Sequence, residues 1–136
     1  MIGEMESRAT RIELVEAELT GEIIGAAVCI HRELGPGLLE SAYQAYMCRE
    51  LGLRQIPFRS QVELPVEYKG VRLDCGYRID IVVDNRVIVE LKSVEGLSAI
   101  HQSQLLTYLR LSRIRVGLLI NFNVPVLRKG IVRRVL

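Results

Sequence analysis

The chain has 136 residues, 18 basic and 16 acidic side chains, a formal net charge of +2 and 49% hydrophobic residues. From this length we expect a single domain over residues 20–136 behind a polar lead-in over residues 1–19. The pI near 8.5 is compatible with a nucleic-acid partner but does not require one. A mean hydropathy of +0.22 is high for a small domain and favours burial of apolar surface in a homodimer.

The cysteines and the absence of targeting segments predict a cytoplasmic protein without membrane contact. Cys29, Cys48 and Cys75 fit neither a CxxC pair nor a zinc spacing, so we expect reduced, mostly buried thiols. No apolar stretch has the length of a signal peptide or of a membrane span.

The first third of the chain has helical patterns. Thr20 is predicted to cap a helix that runs to Leu34. The buried stripe of this helix is predicted at Ile23, Ala27, Ile30 and Leu34. Gly35-Pro36-Gly37 must break the helix, and a second one is predicted over residues 38–51, ending before Gly52.

The middle of the chain is rich in strand-forming residues. Strands are predicted near residues 61–66 and 71–74, with a turn at Tyr68-Lys69-Gly70. Together with the hairpin that follows, they suggest a meander of four strands.

That hairpin consists of two apolar, β-branched runs, residues 78–83 and 87–92, around the polar turn Asp84-Asn85-Arg86. Because side chains alternate between the faces of a strand, pairing Val83 with Val87 merges the apolar sets into one core face. This face is predicted to contain Ile79, Ile81, Val83, Val87, Val89 and Leu91.

The same register gathers Asp80, Glu90 and Lys92 on the opposite face. Burying charge beside apolar neighbours costs several kcal/mol per ion unless the charges are paired or bind a metal, and catalysis is one reason to accept that cost. The alternative is a solvated face on which Lys92 pairs with a carboxylate. The hairpin alone does not decide between the two.

In the last third of the chain, the pattern predicts a helix capped by Ser98 that runs to about Leu111. A buried strand over residues 116–121 and a basic, strand-forming tail over residues 126–136 are predicted to follow it. Because a helix lies between the charged hairpin and the next strand, the sheet should be mixed. The fold class is therefore α+β, with helices on the faces of a mixed sheet.

Polar residues on two helices are further candidates. Glu40 starts the second helix, where the macrodipole favours a carboxylate in any case, and Tyr43 either orients Glu40 or belongs to the core. His101, Gln104 and Tyr108 form a polar stripe that either faces the site or is solvated, while Leu105, Leu106 and Leu109 face the core.

Basic side chains crowd the last third and would contact phosphates if they share a face with Lys92. They are Arg110, Arg113, Arg115, Arg128, Lys129, Arg133 and Arg134. Only 5% of residues are aromatic, which argues against a base-stacking platform for single strands.

Residues 37–43 read G-x-x-E-x-x-Y, and four further blocks follow in order: Tyr77-Arg78-Ile79-Asp80, Glu90-Leu91-Lys92, residues 104–109 and residues 117–122. With these blocks the chain, from about residue 19 to residue 135, closely resembles the GxxExxY proteins of the PD-(D/E)XK nuclease-like superfamily. The resemblance implies a restriction-endonuclease-like mixed sheet flanked by helices. Asp80 follows Ile79 where the superfamily name has proline, which shapes backbone and carries no chemistry.

The resemblance implies that the residues matching the family's functional positions are Glu40, Asp80, Glu90, Lys92 and Gln104. Carboxylates from Asp80 and Glu90 and the carbonyl of Leu91 form an oxygen donor set suited to Mg²⁺, with Mn²⁺ as a substitute. Glu40 is expected to contact the ion or a water molecule bound to it. Lys92 is expected to orient or deprotonate the attacking water or to stabilise developing charge, and Gln104 to hold that water or a phosphate oxygen.

These features predict a small Mg²⁺-dependent nuclease, with DNA recognised by structure rather than by sequence as the expected substrate. The alternative is a catalytically inactive nucleic-acid-binding or protein-interaction module on the same fold. A purely structural dimerisation protein would leave the carboxylate cluster unexplained.

Overall fold

A computed structural model describes residues 15–74 and 76–136, so the predicted lead-in lies largely outside the described residues, as does Cys75. The helices are α1 (Ala17–Leu34), α2 (Glu40–Leu53) and α3 (Ala99–Ser112). The strands are β1 (Phe58–Glu63), β2 (Val66–Tyr68), β3 (Val71–Leu73), β4 (Arg78–Val83), β5 (Val87–Lys92), β6 (Val116–Asn121) and β7 (Ile131–Val135), with a short 3-10 helix over Leu127–Gly130.

Five strands form the main sheet, in the order β1-β4-β5-β6-β7. β5 and β6 are parallel, and the other neighbouring strands are antiparallel. The parallel pair arises because α3, which follows β5 in the chain, returns the chain to the end of the sheet at which β5 begins. β2 and β3 form a separate two-stranded sheet. The predicted α+β class and the mixed sheet flanked by helices are confirmed.

Apolar layers cover both faces of the sheet. On one face Ile81, Val83 and Val89 pack with residues of α1 and α2, and on the other Val82 and Ile88 pack with residues of α3. Both layers are made by the alternation of side chains along β4 and β5. The site described below lies at one end of these two central strands.

Several helix boundaries differ from those predicted. α1 begins at Ala17, so Thr20 lies within its first turn, where the hydroxyl donates to the carbonyl of Glu16 at 3.0 Å instead of capping the helix. α2 starts at Glu40 and continues through Gly52, because the modest cost of a helical glycine is outweighed by burial of the neighbouring Leu51.

Two predicted burials are also wrong. Leu34 is exposed because α1 ends there, beyond the last turn that covers the sheet. Cys29 is exposed and Cys48 is half-buried, and both are free thiols. Within the described residues, no helix is both long and apolar enough to cross a membrane.

The predicted meander is wrong. The first strand lies at Phe58–Glu63 rather than near residues 61–66, and it pairs with β4, so that Phe58 faces Val83. β2 and β3 lie between β1 and β4 in the chain but leave the main sheet as a hairpin. Strands of three residues each have too few apolar side chains to compete with β1 for the edge of β4.

Ile79 does not share the layer of Ile81, as the alternation predicted, but packs with Val82 in the layer beneath α3. The neighbouring Gln61 has a positive φ of 50°, between the pairs that β1 forms with Ile81 and Ile79. One residue lies between these two pairs on each strand, so the distortion is a local change of backbone direction opposite Asp80 and not an inserted bulge residue. The alternation of β4 is therefore broken at Asp80, between the two isoleucines.

Candidate active site

Asp80 on β4 and Glu90 on β5 are in direct contact. The amide of Asp80 donates to Oε1 of Glu90 at 3.2 Å, and the amide of Leu91 donates to Oδ2 of Asp80 at 2.8 Å. The predicted pairing of Val83 with Val87 is confirmed and places the two strands in the register that brings these carboxyls together. Glu90 is buried, whereas Asp80 is half-buried.

The environment of Glu90 favours its protonated form. Burial raises the pKa of Glu90 to about 9, and the charge of Asp80 and a hydrogen bond between the two carboxyls act in the same direction. Lys92 opposes the shift, but its effect is smaller. At neutral pH the two carboxyls therefore hold one proton between them, as closely spaced carboxyl pairs do.

Glu40 and Lys92 lie within charge-interaction range of this pair. Partial burial raises the pKa of Glu40, the charge of Lys92 lowers it, Asp80 raises it and His101 lowers it. Four of the five predicted site residues, Glu40, Asp80, Glu90 and Lys92, are thus gathered where β4 begins, β5 ends and α2 starts.

Tyr43, the last residue of the G-x-x-E-x-x-Y motif, fixes the loop that precedes α2. Its hydroxyl donates to the carbonyl of Gly35 at 2.6 Å and accepts from the amide of Leu38 at 3.3 Å, while its buried ring stacks on Phe122 at 4.2 Å. Tyr43 therefore belongs to the core and also sets the position from which Glu40 begins its helix.

The same loop is tied to the end of β5. The hydroxyl of Ser93, next to Lys92, donates to the carbonyl of Leu38 at 2.6 Å. Gly35 and Gly37 both have positive φ, 67° and 100°, which lets the chain turn sharply enough to make this contact. The start of α2 and the end of β5 are therefore held together by this hydrogen bond.

Two positioning residues escaped the sequence analysis. The side-chain amide of Gln44 donates to the carbonyl of Asp80 at 3.0 Å. Gln44 follows Glu40 by four residues on the same helical face, and this spacing was the sequence signal that could have identified it. Asn121 is buried and binds both the amide and the carbonyl of Val94, at 3.1 and 2.9 Å. Both side chains restrain the backbone that carries the acidic and basic groups.

α3 borders the site from the other side. Ser98 is its N-cap residue, as predicted, and the amide of Ser98 donates to Nδ1 of His101 at 3.1 Å, so His101 stabilises the start of the helix. Gln104 donates to the hydroxyl of Tyr108 at 3.0 Å. Burial raises the pKa of Tyr108, and the charge of Glu90 raises it further. Gln104 is thus linked to the carboxylates by way of Tyr108, which it contacts directly.

Four of the seven clustered basic residues bind the backbone or side chains of their own chain. Arg110 donates to the hydroxyl of Thr107 at 3.3 Å. Arg115 donates to the carbonyl of Leu136 at 3.0 Å, Arg133 to that of Val15, and Arg134 to the amide oxygen of Gln102. Contact of this cluster with phosphates stays a prediction.

The donor set fits a hard divalent cation. Among residues 15–74 and 76–136, no three Asp, Glu, His or Cys side chains form a group that could hold a metal ion by themselves. Mg²⁺ is usually held by one or two carboxylates and completes its shell with water and substrate phosphates, and the Asp80–Glu90 pair supplies that number. A cation would also relieve the repulsion that now keeps a proton on the pair. Glu40 as a direct ligand stays a prediction.

A mixed sheet between helices, with an Asp and an E-x-K triplet on adjacent central strands, is the arrangement of a nuclease-like domain. The chain belongs to the PD-(D/E)XK nuclease superfamily, whose family model matches residues 17–135. No match was found among curated proteins or among solved structures.

Proposed function

We propose that this protein is a Mg²⁺-dependent nuclease of the GxxExxY group that hydrolyses phosphodiester bonds of nucleic acid, with Mn²⁺ as a substitute ion. The observation that carries the proposal is the contact of the half-buried Asp80 with the buried Glu90, within charge-interaction range of Lys92. A purely structural role would favour an ion pair at this place, not two carboxyls in contact.

Each residue has a distinct part in this proposal. Asp80, Glu90 and the carbonyl of Leu91 hold the ion, and Glu40 completes the ligand set. When bound, the ion neutralises charge on the phosphate and makes water a better nucleophile. Lys92 orients or deprotonates the attacking water or stabilises the developing negative charge.

Gln104 lies on α3 next to Tyr108, which is within charge-interaction range of Glu90. From there its amide holds the attacking water or a phosphate oxygen, while its bond to Tyr108 fixes the side chain. This assignment predicts that Gln104 affects the rate more than it affects the fold.

The proposed substrate is DNA recognised by its structure. The sequence contains no helix-turn-helix or zinc-finger pattern that would read bases in a groove, and the net charge of +2 supports only moderate attraction to phosphates.

We place the protein in the cytoplasm as a homodimer. Large apolar side chains remain exposed around α1 and α2, among them Leu34, Leu39 and Leu53. Such side chains support association with a second copy. Sedimentation equilibrium of the purified protein would measure the association directly.

The test is cleavage of labelled DNA and RNA, as single strands, duplexes and branched junctions, with Mg²⁺, with Mn²⁺ and with a chelator. Cleavage should require one of the ions and should be abolished by Asp80→Asn combined with Glu90→Gln. Asp84→Asn is the matched control, because it makes the same change at the opposite end of the same hairpin, where Asp84 pairs with Arg86. Binding without cleavage under both ions, unaffected by the double substitution, would instead identify an inactive binding module.

A further inference from the structure

A cavity of about 520 Å³ opens between α3 and the base of the β2–β3 hairpin. Two tyrosines, Tyr77 and Tyr108, contribute to its walls, and Gln104, Ser103 and Thr107 add amide and hydroxyl groups. Its volume lies in the range of small-ligand sites, roughly 300–1,000 Å³.

The mouth of the cavity faces solvent and its deep wall does not. Tyr77 is 46% exposed and Ile100 is 71% exposed, whereas Tyr108 is only 4% exposed. A ligand therefore enters beside Tyr77 and reaches Tyr108 without rearrangement of the core.

Two residues that line the cavity are also close to the carboxylates of the candidate active site. Tyr108 lies within charge-interaction range of Glu90 and Asp80, and His101 lies within the same range of Glu40. Both Tyr108 and His101 also line the cavity. A group bound against Tyr108 is thus near the carboxylates.

The lining suits a nucleobase better than a phosphate. Among the described residues that line the cavity, none is Lys or Arg, so the lining offers a phosphate neither a lysine nor an arginine partner. Aromatic rings bind unpaired bases by stacking, and amides and hydroxyls bind their edges by hydrogen bonds. The low aromatic content argued against stacking, but the fold brings two of the five tyrosines to this one cavity.

We propose that this cavity receives an unpaired nucleobase next to the phosphate that is cut, so that the substrates are single-stranded or locally unpaired nucleic acids. The inference rests on the proposed nuclease function, because it takes the position of the reacting phosphate from the Asp80–Glu90 pair. Tyr77 stacks on the base at the mouth, and the hydroxyls of Ser103 and Thr107 bind its edge.

The test compares two short single-stranded DNA oligomers of equal length, one intact and one in which every residue lacks its base, so that only the bases differ. Affinities are measured by fluorescence anisotropy with Ca²⁺ in place of Mg²⁺ to prevent turnover. The wild type should bind the intact strand roughly ten-fold more tightly or better, as expected from the stacking of bases on aromatic side chains. Tyr77→Ala should reduce this preference to a few-fold, and Tyr77→Phe should restore it because the ring is kept.

Tyr46→Ala is the matched control, since Tyr46 is also 46% exposed but lies on α2 and lines a different pocket. It should keep the wild-type preference. An unchanged preference in Tyr77→Ala, or equal binding of both oligomers by the wild type, overturns the inference. A change of oligomeric state in Tyr77→Ala alone, with the preference unchanged, would overturn it in favour of a second copy of the chain in the cavity.

The two proposals fail in different ways. A Tyr77-dependent preference for bases in a protein that cuts nothing with Mg²⁺ or Mn²⁺ would uphold the cavity and overturn the nuclease. Cleavage that depends on Asp80 and Glu90, with no preference for bases, would uphold the nuclease and overturn the cavity. No binding of either oligomer and no cleavage would overturn both.

Discussion

The β2–β3 and β4–β5 hairpins have similar turns and opposite environments. The chain reverses through residues with positive φ in both, Lys69 and Gly70 in the first and Asp84 and Asn85 in the second. Five of the six strand residues of β2 and β3 are exposed. β4 and β5 instead form the centre of the sheet, flanked by β1 and β6 and covered by helices on both faces.

The difference shows that turn chemistry makes a hairpin, whereas its neighbours decide what the hairpin can do. In β4–β5 the surrounding apolar layers desolvate Glu90 and hold it against Asp80, which a solvated hairpin cannot do. The exposed hairpin has no such layer, and its contribution is a wall of the adjoining cavity through Val66. Burial of β4–β5 shifts the pKa of Glu90, whereas the exposed β2–β3 hairpin borders a cavity that is open to solvent.

The largest expected effect separates the two hairpins by stability. Ile88→Ala on β5 should lower the free energy of unfolding by about 2–5 kcal/mol, because Ile88 is fully buried and a cavity would remain. Leu73→Ala on β3 is the matched control and should cost less than about 0.5 kcal/mol, because Leu73 is exposed. Urea unfolding measures both. Equal losses would show that the exposed hairpin is as integral to the core as the central one.

The next effect separates the hairpins by catalysis. Lys92→Ala should lower the rate of Mg²⁺-dependent cleavage roughly a hundred-fold, or about 2.7 kcal/mol in barrier, because the lysine acts on the water or on developing charge. Affinity for nucleic acid should change only a few-fold. Lys69→Ala, in the turn of the exposed hairpin, is the control and should leave the rate intact. Single-turnover kinetics with separate binding measurements would contradict the assignment if affinity fell as much as rate.

The smallest expected effect is a pH dependence confined to the buried hairpin. The pKa of Glu90 is raised from 4.5 to about 9, so its protonated form stabilises the fold fully below 4.5. This contribution is lost progressively as pH rises from 4.5 through about 9, by at most about 1.4 kcal/mol per pH unit. Mg²⁺ should reduce the loss, because it favours the charged carboxyl.

Urea unfolding in a chelator between about pH 6 and pH 8 would measure this dependence. Glu90→Gln, which stays neutral at all pH values, should flatten it. Glu63→Gln, at an exposed position on β1, should not. A wild-type slope that survives Glu90→Gln would place the responsible group elsewhere.

Much of the fold was predictable because it depends on local patterns. The strand over residues 116–121 and the hairpin turn with its Val83–Val87 pairing follow from composition and alternation within a few residues. The helix between β5 and β6 was enough to predict a mixed sheet. The predicted helix boundaries were less accurate, since Thr20 and Gly52 act locally but the ends of α1 and α2 depend on what each helix covers.

By itself the sequence determined which chemical groups the protein has, in the G-x-x-E-x-x-Y segment, Asp80 and the E-x-K triplet. The tertiary structure decided how those groups behave. The contact of Gln44 with Asp80 joins residues 36 positions apart, and the pairing of β1 with β4 passes over an entire hairpin. Burial and charge depend on such distant neighbours, because desolvation is set by everything around a group and not by its position in the chain. The proton that Asp80 and Glu90 hold between them, the break in alternation at Asp80 and the cavity beside Tyr108 all have this origin.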